Sequence, residues 1–206
     1  MEKHCVIFGA MPVSTAMRPY YEGADITIAA DAGYRRMQAL GLTPDLLLGD
    51  YDSAPPPPNA TNVERLPHEK DDTDTHYAAR RALELGAKKV TVLGGLGGRL
   101  DHTLANLDTL VFLAAKGVQA CLADETTELY ALLPGHYHFA RRAGYVSLFP
   151  AGGEVRGVTL KGFYYPLTDA VLRCDYPVGV SNEFAADIGE ISFTEGILYL
   201  VFAREA

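Results

Sequence analysis

The sequence predicts an α/β N-terminal domain with a mainly parallel sheet, followed by an all-β sandwich domain, and three observations carry that expectation. Over the first 125 residues, short runs apolar on both faces alternate with helical patterns, as strands covered by helices on each side require. The strand-helix-strand order repeats, which implies an open sheet. After about residue 126 the text changes to short β-like runs separated by Gly and Pro, with no helical pattern. The expected domains are residues 1–126 and 127–206, with the change of texture falling within 124–128.

In chain order, CVIFGA (5–10), ITIAAD (26–31), DLLLGD (45–50), KVTVLGG (89–95) and VQACLAD (118–124) read as strands. Between them, DTDTHYAARRALELG places Ala78, Ala79, Ala82 and Leu83 on one helical stripe and stops at Gly86, a residue suited to a C-cap. DHTLANLDTLVFLAAKG does the same with Leu104, Leu107, Val111 and Ala114, stopping at Gly117. PPPP (55–58) reads as a stiff extended segment inside the first domain. In the second domain, ISF-TEG-ILYLVF reads as a hairpin whose Gly196 tolerates positive φ.

The chain has 206 residues, 48% of them apolar, enough for a sizeable core. No apolar run approaches the roughly 18 residues that would span a bilayer, and MEKHCVIFGA has no signal-peptide layout. A soluble cytoplasmic protein, away from any membrane, is the expectation. The net charge of -8 and the lack of a Lys/Arg cluster argue against a nucleic-acid partner. Cys5, Cys121 and Cys174 are far apart and form no CxxC, which reads as reduced, structural thiols.

Chemistry enters with the acids. Asp31 ends the second strand, Asp50 and Asp52 end the third, Asp101 follows a later strand, and KDDTD (70–74) opens a helix. A parallel sheet brings all these points to its carboxyl edge, where ligands bind. Some have structural roles to hand. Asp31 suits an N-cap as well as a ligand, Asp71 or Asp72 suits the cap of the helix through residue 83, and Asp101 suits the cap of DHTLANL. Asp50 and Asp52 resist that explanation. At i, i+2 in extended chain they point to one side, and two charges about 6 Å apart repel by roughly 3 kcal/mol at an effective dielectric near 20. Mg²⁺ would satisfy them, with water and phosphate oxygens completing its shell. GGLGGRLDH (94–102) adds a strand-to-helix glycine turn whose N–H groups can approach a phosphate, with Arg99 beside it. It matches neither GxGxxG nor GxxxxGK[ST]. Phosphoryl chemistry on a nucleotide is the leading class.

GDYDS (49–53), KDDTD (70–74), GGLGGRLDH (94–102) and SNEF (181–184), in this order, together with ADAGY (30–34) and YPL (165–167), resemble the thiamine pyrophosphokinases of bacterial type. The resemblance implies a homodimeric enzyme that moves the pyrophosphoryl group of ATP onto thiamine, with thiamine held where two subunits meet. It implies Asp50, Asp52 and Asp74 as Mg²⁺ carboxylates, and Asp71, Asp74 and Asp101 as catalytic acids. Asp101 would be the group nearest the attacking hydroxyl. Asp31, Lys70, Arg99 and Asn106 would contact ATP, with Lys70 standing where eukaryotic relatives often have Gln. Ser181 and Asn182 would face thiamine, and with no Trp in the chain, Tyr164, Tyr165 and Phe184 are the candidate stacking rings. Two other readings stand beside it. One is a metal-dependent phosphoesterase, since LDH before Thr103 is faintly similar to the DHH enzymes; the other is a non-catalytic nucleotide or thiamine sensor.

Overall fold

The computed structural model describes residues 2–50, 62–66 and 72–205, and its contacts divide the chain into two compact units, 1–125 and 126–206. Among the described residues no helix is long and apolar enough to cross a membrane.

The N-terminal unit is built on strands β1 (His4–Phe8), β2 (Ile26–Ala30), β3 (Leu46–Gly49), β4 (Val63–Arg65), β5 (Lys89–Leu93) and β6 (Gln119–Ala123). They lie in the order β4-β3-β2-β1-β5-β6, every pair parallel. Phe8, Ile28, Leu47, Leu48, Leu93 and Leu122 are fully buried, as strands covered on both faces must be. Helices α2 (Gly33–Ala39), α3 (Asp74–Glu84) and α4 (Leu100–Ala115) do the covering, and a short α1 (Arg18–Tyr21) follows a 3-10 turn at Thr15–Met17. The sequence pattern misses α1 and β4. Each is too short for a period to show, and β4 is an edge strand that buries no residue fully.

Helix details differ from the expectations in an instructive way. The N-cap of α3 is Thr73, neither Asp71 nor Asp72: its backbone is extended and its hydroxyl accepts from the His76 N–H at 3.1 Å. Asp72 instead pairs with Arg80 at 2.7 Å. In α4 the buried stripe is Asn106, Thr109, Leu110, Leu113 and Ala114, whereas Leu104 is 53% exposed and Leu107 and Val111 are half-buried. The helix carries two apolar stripes at 3.6-residue spacing, and periodicity alone does not say which faces the sheet. Gly86 and Gly117 both follow their helices with positive φ.

The C-terminal unit is entirely β: β7 (Thr127–Leu132), β8 (Gly135–Ala140), β9 (Tyr145–Pro150), β10 (Glu154–Lys161), β11 (Leu167–Arg173), β12 (Ile188–Phe193) and β13 (Leu198–Ala203). Strand β13 pairs antiparallel with β7 and β9, while β11-β10-β12-β8 form a second antiparallel sheet. Alternate residues of both sheets meet in one core that includes Leu148, Val155, Leu160, Ile191, Phe193, Leu198 and Leu200. The expected ISF-TEG-ILYLVF hairpin does not form, because β12 and β13 belong to different sheets. The turn between them pairs with β10 instead: Thr194 N–H donates to the Arg156 carbonyl at 3.0 Å and Arg156 N–H returns to Glu195 O at 3.1 Å. Gly196, at φ +91°, leaves no room for a Cβ against the Glu154 carbonyl.

Candidate active site

The carboxyl edge of the parallel sheet gathers Gly9 after β1, Asp31 after β2, Asp50 after β3 and the glycine turn after β5. Strand order makes this edge special. The chain runs from β1 outward to β4, then returns to place β5 on the other side of β1, so the topological switch lies between β1 and β5.

Each site residue has its own reason to be there. Asp31 is exposed and sits at φ +47°, its N–H donating to the Leu48 carbonyl at 2.7 Å. It is not an N-cap: α2 starts from Ala32 with no side-chain cap. Aspartate is one of the few non-glycine residues that enter the left-handed region readily. Gly33, the first residue of α2, packs so closely under β1 that any Cβ would overlap the Phe8 carbonyl oxygen. That contact brings Asp31 and the β1 loop to the same edge.

Asp74 is the first residue of α3 and, like Asp50, is half-buried. The helix packs over β1, β2 and β3 and against α4. One polar contact joins the helices: the Thr109 hydroxyl lies 3.1 Å from His76 Nδ1 and 3.0 Å from the Ala105 carbonyl. Neither His76 nor Thr109 is marked by any sequence motif.

Within the glycine turn, Gly94, Gly97 and Gly98 all have positive φ. Asn106, buried on α4, donates its amide N–H to the Gly95 carbonyl at 2.8 Å, bracing the turn from below. The Thr103 hydroxyl adds a bond to Gly97 O at 3.3 Å. Arg99 is the N-cap position of α4 and makes no side-chain cap; Asp101 lies in the first turn, so the expectation of Asp101 as the cap is corrected. Arg99 and Asp101 form a bidentate pair, Nε to Oδ1 at 3.1 Å and Nη2 to Oδ2 at 2.6 Å. The Arg99 guanidinium, and then the His102 N–H, hold the Asp101 carboxyl below its ordinary range, while the same pair pushes Arg99 up. Both side chains are well exposed at the sheet edge, the carboxylate ionised and the guanidinium aligned beside it.

In the C-terminal unit, Ser181 has φ +58° and its N–H donates to the Ser147 hydroxyl at 3.0 Å. Asn182 is buried. Its Oδ1 accepts from the N–H groups of Tyr165 at 3.0 Å and Glu183 at 2.9 Å, and its Nδ2 donates to the Tyr165 carbonyl at 2.8 Å. The side chain thereby clamps the Tyr164–Tyr165 loop. Tyr164 and Tyr165 are 64% and 70% exposed, whereas Phe184 is buried, its ring centroid 5.0 Å from that of Phe163. Phe184 is therefore a core residue, and of the three candidate rings only the two tyrosines are exposed.

Asp52, Lys70 and Asp71, with the PPPP segment, lie outside the described residues. Among the described residues no three His, Cys, Asp or Glu side chains are grouped as a metal site.

The profile described as "Thiamin pyrophosphokinase, catalytic domain" matches residues 17–122, and "Thiamin pyrophosphokinase, vitamin B1 binding domain" matches 137–198. The chain belongs to the thiamin pyrophosphokinase family. It is 28% identical over 190 residues to the thiamine pyrophosphokinase of Bacillus subtilis (strain 168), covering 88% of this chain and 89% of that one. A crystal structure of the Bacillus subtilis enzyme superposes with a TM-score of 0.90 at 26% identity, covering 99% of this chain and all of that one. A second, from Geobacillus thermodenitrificans, gives 0.87 at 30% identity over 98% of both chains. The two matches take in β2 to β5 with the glycine turn, and β9 to β12 with the 181–184 loop. The phosphoesterase reading finds no support among these relatives.

Proposed function

We propose that the protein transfers the pyrophosphoryl group of ATP to the hydroxyl of thiamine, giving thiamine diphosphate and AMP. The observation that carries this reading is that both halves of the family pattern are present, each with its loops at the positions described above. ATP is assigned to the carboxyl edge between β1 and β5, its phosphates meeting the N–H groups of the glycine turn and Arg99. The thiamine hydroxyl attacks the β-phosphorus as the bond from that phosphorus to the α,β-bridging oxygen breaks; the bridging oxygen leaves with AMP and the hydroxyl proton is released to solvent. Such a step depends on in-line positioning and charge neutralisation more than on covalent help.

Mg²⁺ is part of the proposal. Asp50 and Asp74 supply hard oxygen donors at this edge, with Asp52 as the third carboxylate, which fits a cation that binds through a few carboxylates plus phosphate and water. When bound, it supplies charge neutralisation on the phosphate oxygens. Asp101, paired with Arg99, is assigned to the attacking hydroxyl, as base or as orienter. Asp71 and Lys70 are assigned to the phosphate side, and Asp31 to the nucleoside side. Ser181 and the Tyr164–Tyr165 loop clamped by Asn182 face thiamine. A cytoplasmic homodimer, with thiamine at the subunit boundary, completes the reading.

The test is incubation with ATP, Mg²⁺ and thiamine, separating AMP from ADP. We expect AMP to form only when thiamine is present, and Asp74→Asn to abolish it in a folded variant. ADP as the product, or phosphate release without thiamine, overturns the assignment.

A further inference from the structure

At the switch point of an open parallel sheet the loops leaving the two adjacent strands part, and a crevice opens between them. Here those loops are tied together. Gly9 N–H donates to the Leu93 carbonyl at 2.7 Å and Met11 N–H donates to the Gly94 carbonyl at 3.0 Å. Met11 also lays its thioether over Gly98, where a Cβ would come within 2.6 Å of the sulfur. Between the two tied residues, Ala10 turns its carbonyl toward α2, and Arg36 donates its Nε–H to it at 2.8 Å. A charged donor on a neighbouring helix thus secures the middle of the β1 loop.

The glycine turn has reason to need this support. Glycine loses more conformational freedom on ordering than any other residue, so a turn of this composition does not keep one shape by itself. Asn106 braces it at Gly95 from α4. On the β1 side Gly9 packs against Gly94, and Met11 holds the turn at Gly94 and Gly98. We propose that Arg36 is a positioning residue for the reaction: it latches the 9–11 loop, and Met11 in turn fixes the backbone of the glycine turn in the shape that receives the phosphates of ATP. The inference rests on the assignment of that turn to phosphate.

The experiment measures KM for ATP, KM for thiamine and kcat in Arg36→Met, Met11→Ala, the double variant and Arg99→Met. Loss of a charge-assisted hydrogen bond of this kind should raise KM for ATP about tenfold in Arg36→Met, with KM for thiamine unchanged. A merely structural role would lower melting temperature and the active fraction without moving KM for ATP. Because part of the latch runs through the Met11 side chain, the two substitutions together should cost less than the sum of their separate effects. Additive effects mean that Arg36 acts on the substrate directly and overturn the latch, as does an unchanged KM in Arg36→Met alongside a raised KM in Arg99→Met. If neither variant moves KM for ATP, the phosphate assignment itself fails. Should Arg36→Met not fold, Met11→Ala alone must raise KM for ATP and leave that for thiamine unchanged; an unchanged KM for ATP there overturns the latch.

Discussion

Asp31 combines a charge at the sheet edge with a backbone at φ +47°, and the two can be separated by substitution. Asn tolerates the left-handed region nearly as well as Asp, so Asp31→Asn should keep stability within about 0.5 kcal/mol while weakening ATP binding. Asp31→Val should lose about 1–2 kcal/mol in addition, because a β-branched residue is strained there. Denaturant unfolding beside a nucleotide titration reads both. The cysteines give a second residue-scale expectation. Burial, and then the Asp45 carboxylate, push the Cys5 thiol up to about 12, and Cys121 is buried, while Cys174 is exposed. At pH 8 a thiol reagent should label Cys174 rapidly in the folded protein and the other two only after unfolding. The sign for stability follows: the Cys5 contribution is intact below the ordinary thiol range and is lost as pH rises toward about 12, since the unfolded thiol ionises first. A melting temperature that did not fall over that alkaline range would contradict the burial.

At the scale of elements, what the sequence reveals depends on whether a local pattern is enough. Strands β1, β2, β3, β5 and β6 were legible because each is an unbroken apolar run, and the convergence of acids at one edge followed from their being parallel. The cap of α3 was not, since KDDTD offers several acceptors and only the backbone shows that Thr73 has the extended conformation a cap needs. Thr73→Ala should cost about 1 kcal/mol. The β12–β13 turn was misread for a related reason: a Gly between two β-like runs signals a tight turn, yet says nothing about which sheet receives the second strand. Gly196→Ala should cost about 2–3 kcal/mol, because it adds strain at positive φ to an overlap with the Glu154 carbonyl. Thermal unfolding of the two variants should rank them in that order. Arg36 and Met11 were illegible at this scale too, since their role depends on loops from three elements meeting.

For the whole molecule, the family pattern was legible because its motifs lie in fixed order along the chain, whereas which tyrosines face outward had to come from packing. Tyr164, Tyr165, Tyr176, Val178 and Val180 are exposed on the loops flanking the 181–184 segment, and apolar side chains there can serve a subunit contact. We expect sedimentation equilibrium to show a dimer, and Val180→Glu to shift it toward monomer; a monomeric wild type would remove that role from the loops. The placement of β13 has a consequence for how the protein is made. It is the last strand of its unit in chain order, yet it lies between β7 and β9, in the middle of their sheet. While the ribosome is still adding residues before Leu198, β7 and β9 have no common partner and the inner face of the other sheet has nothing to close it. The N-terminal unit has its six described strands by residue 123 and can acquire its shape during translation. The C-terminal unit must wait for β13, so the nascent chain emerges with its parallel sheet formed and its apolar sandwich still open, the interval in which a chaperone has most to protect.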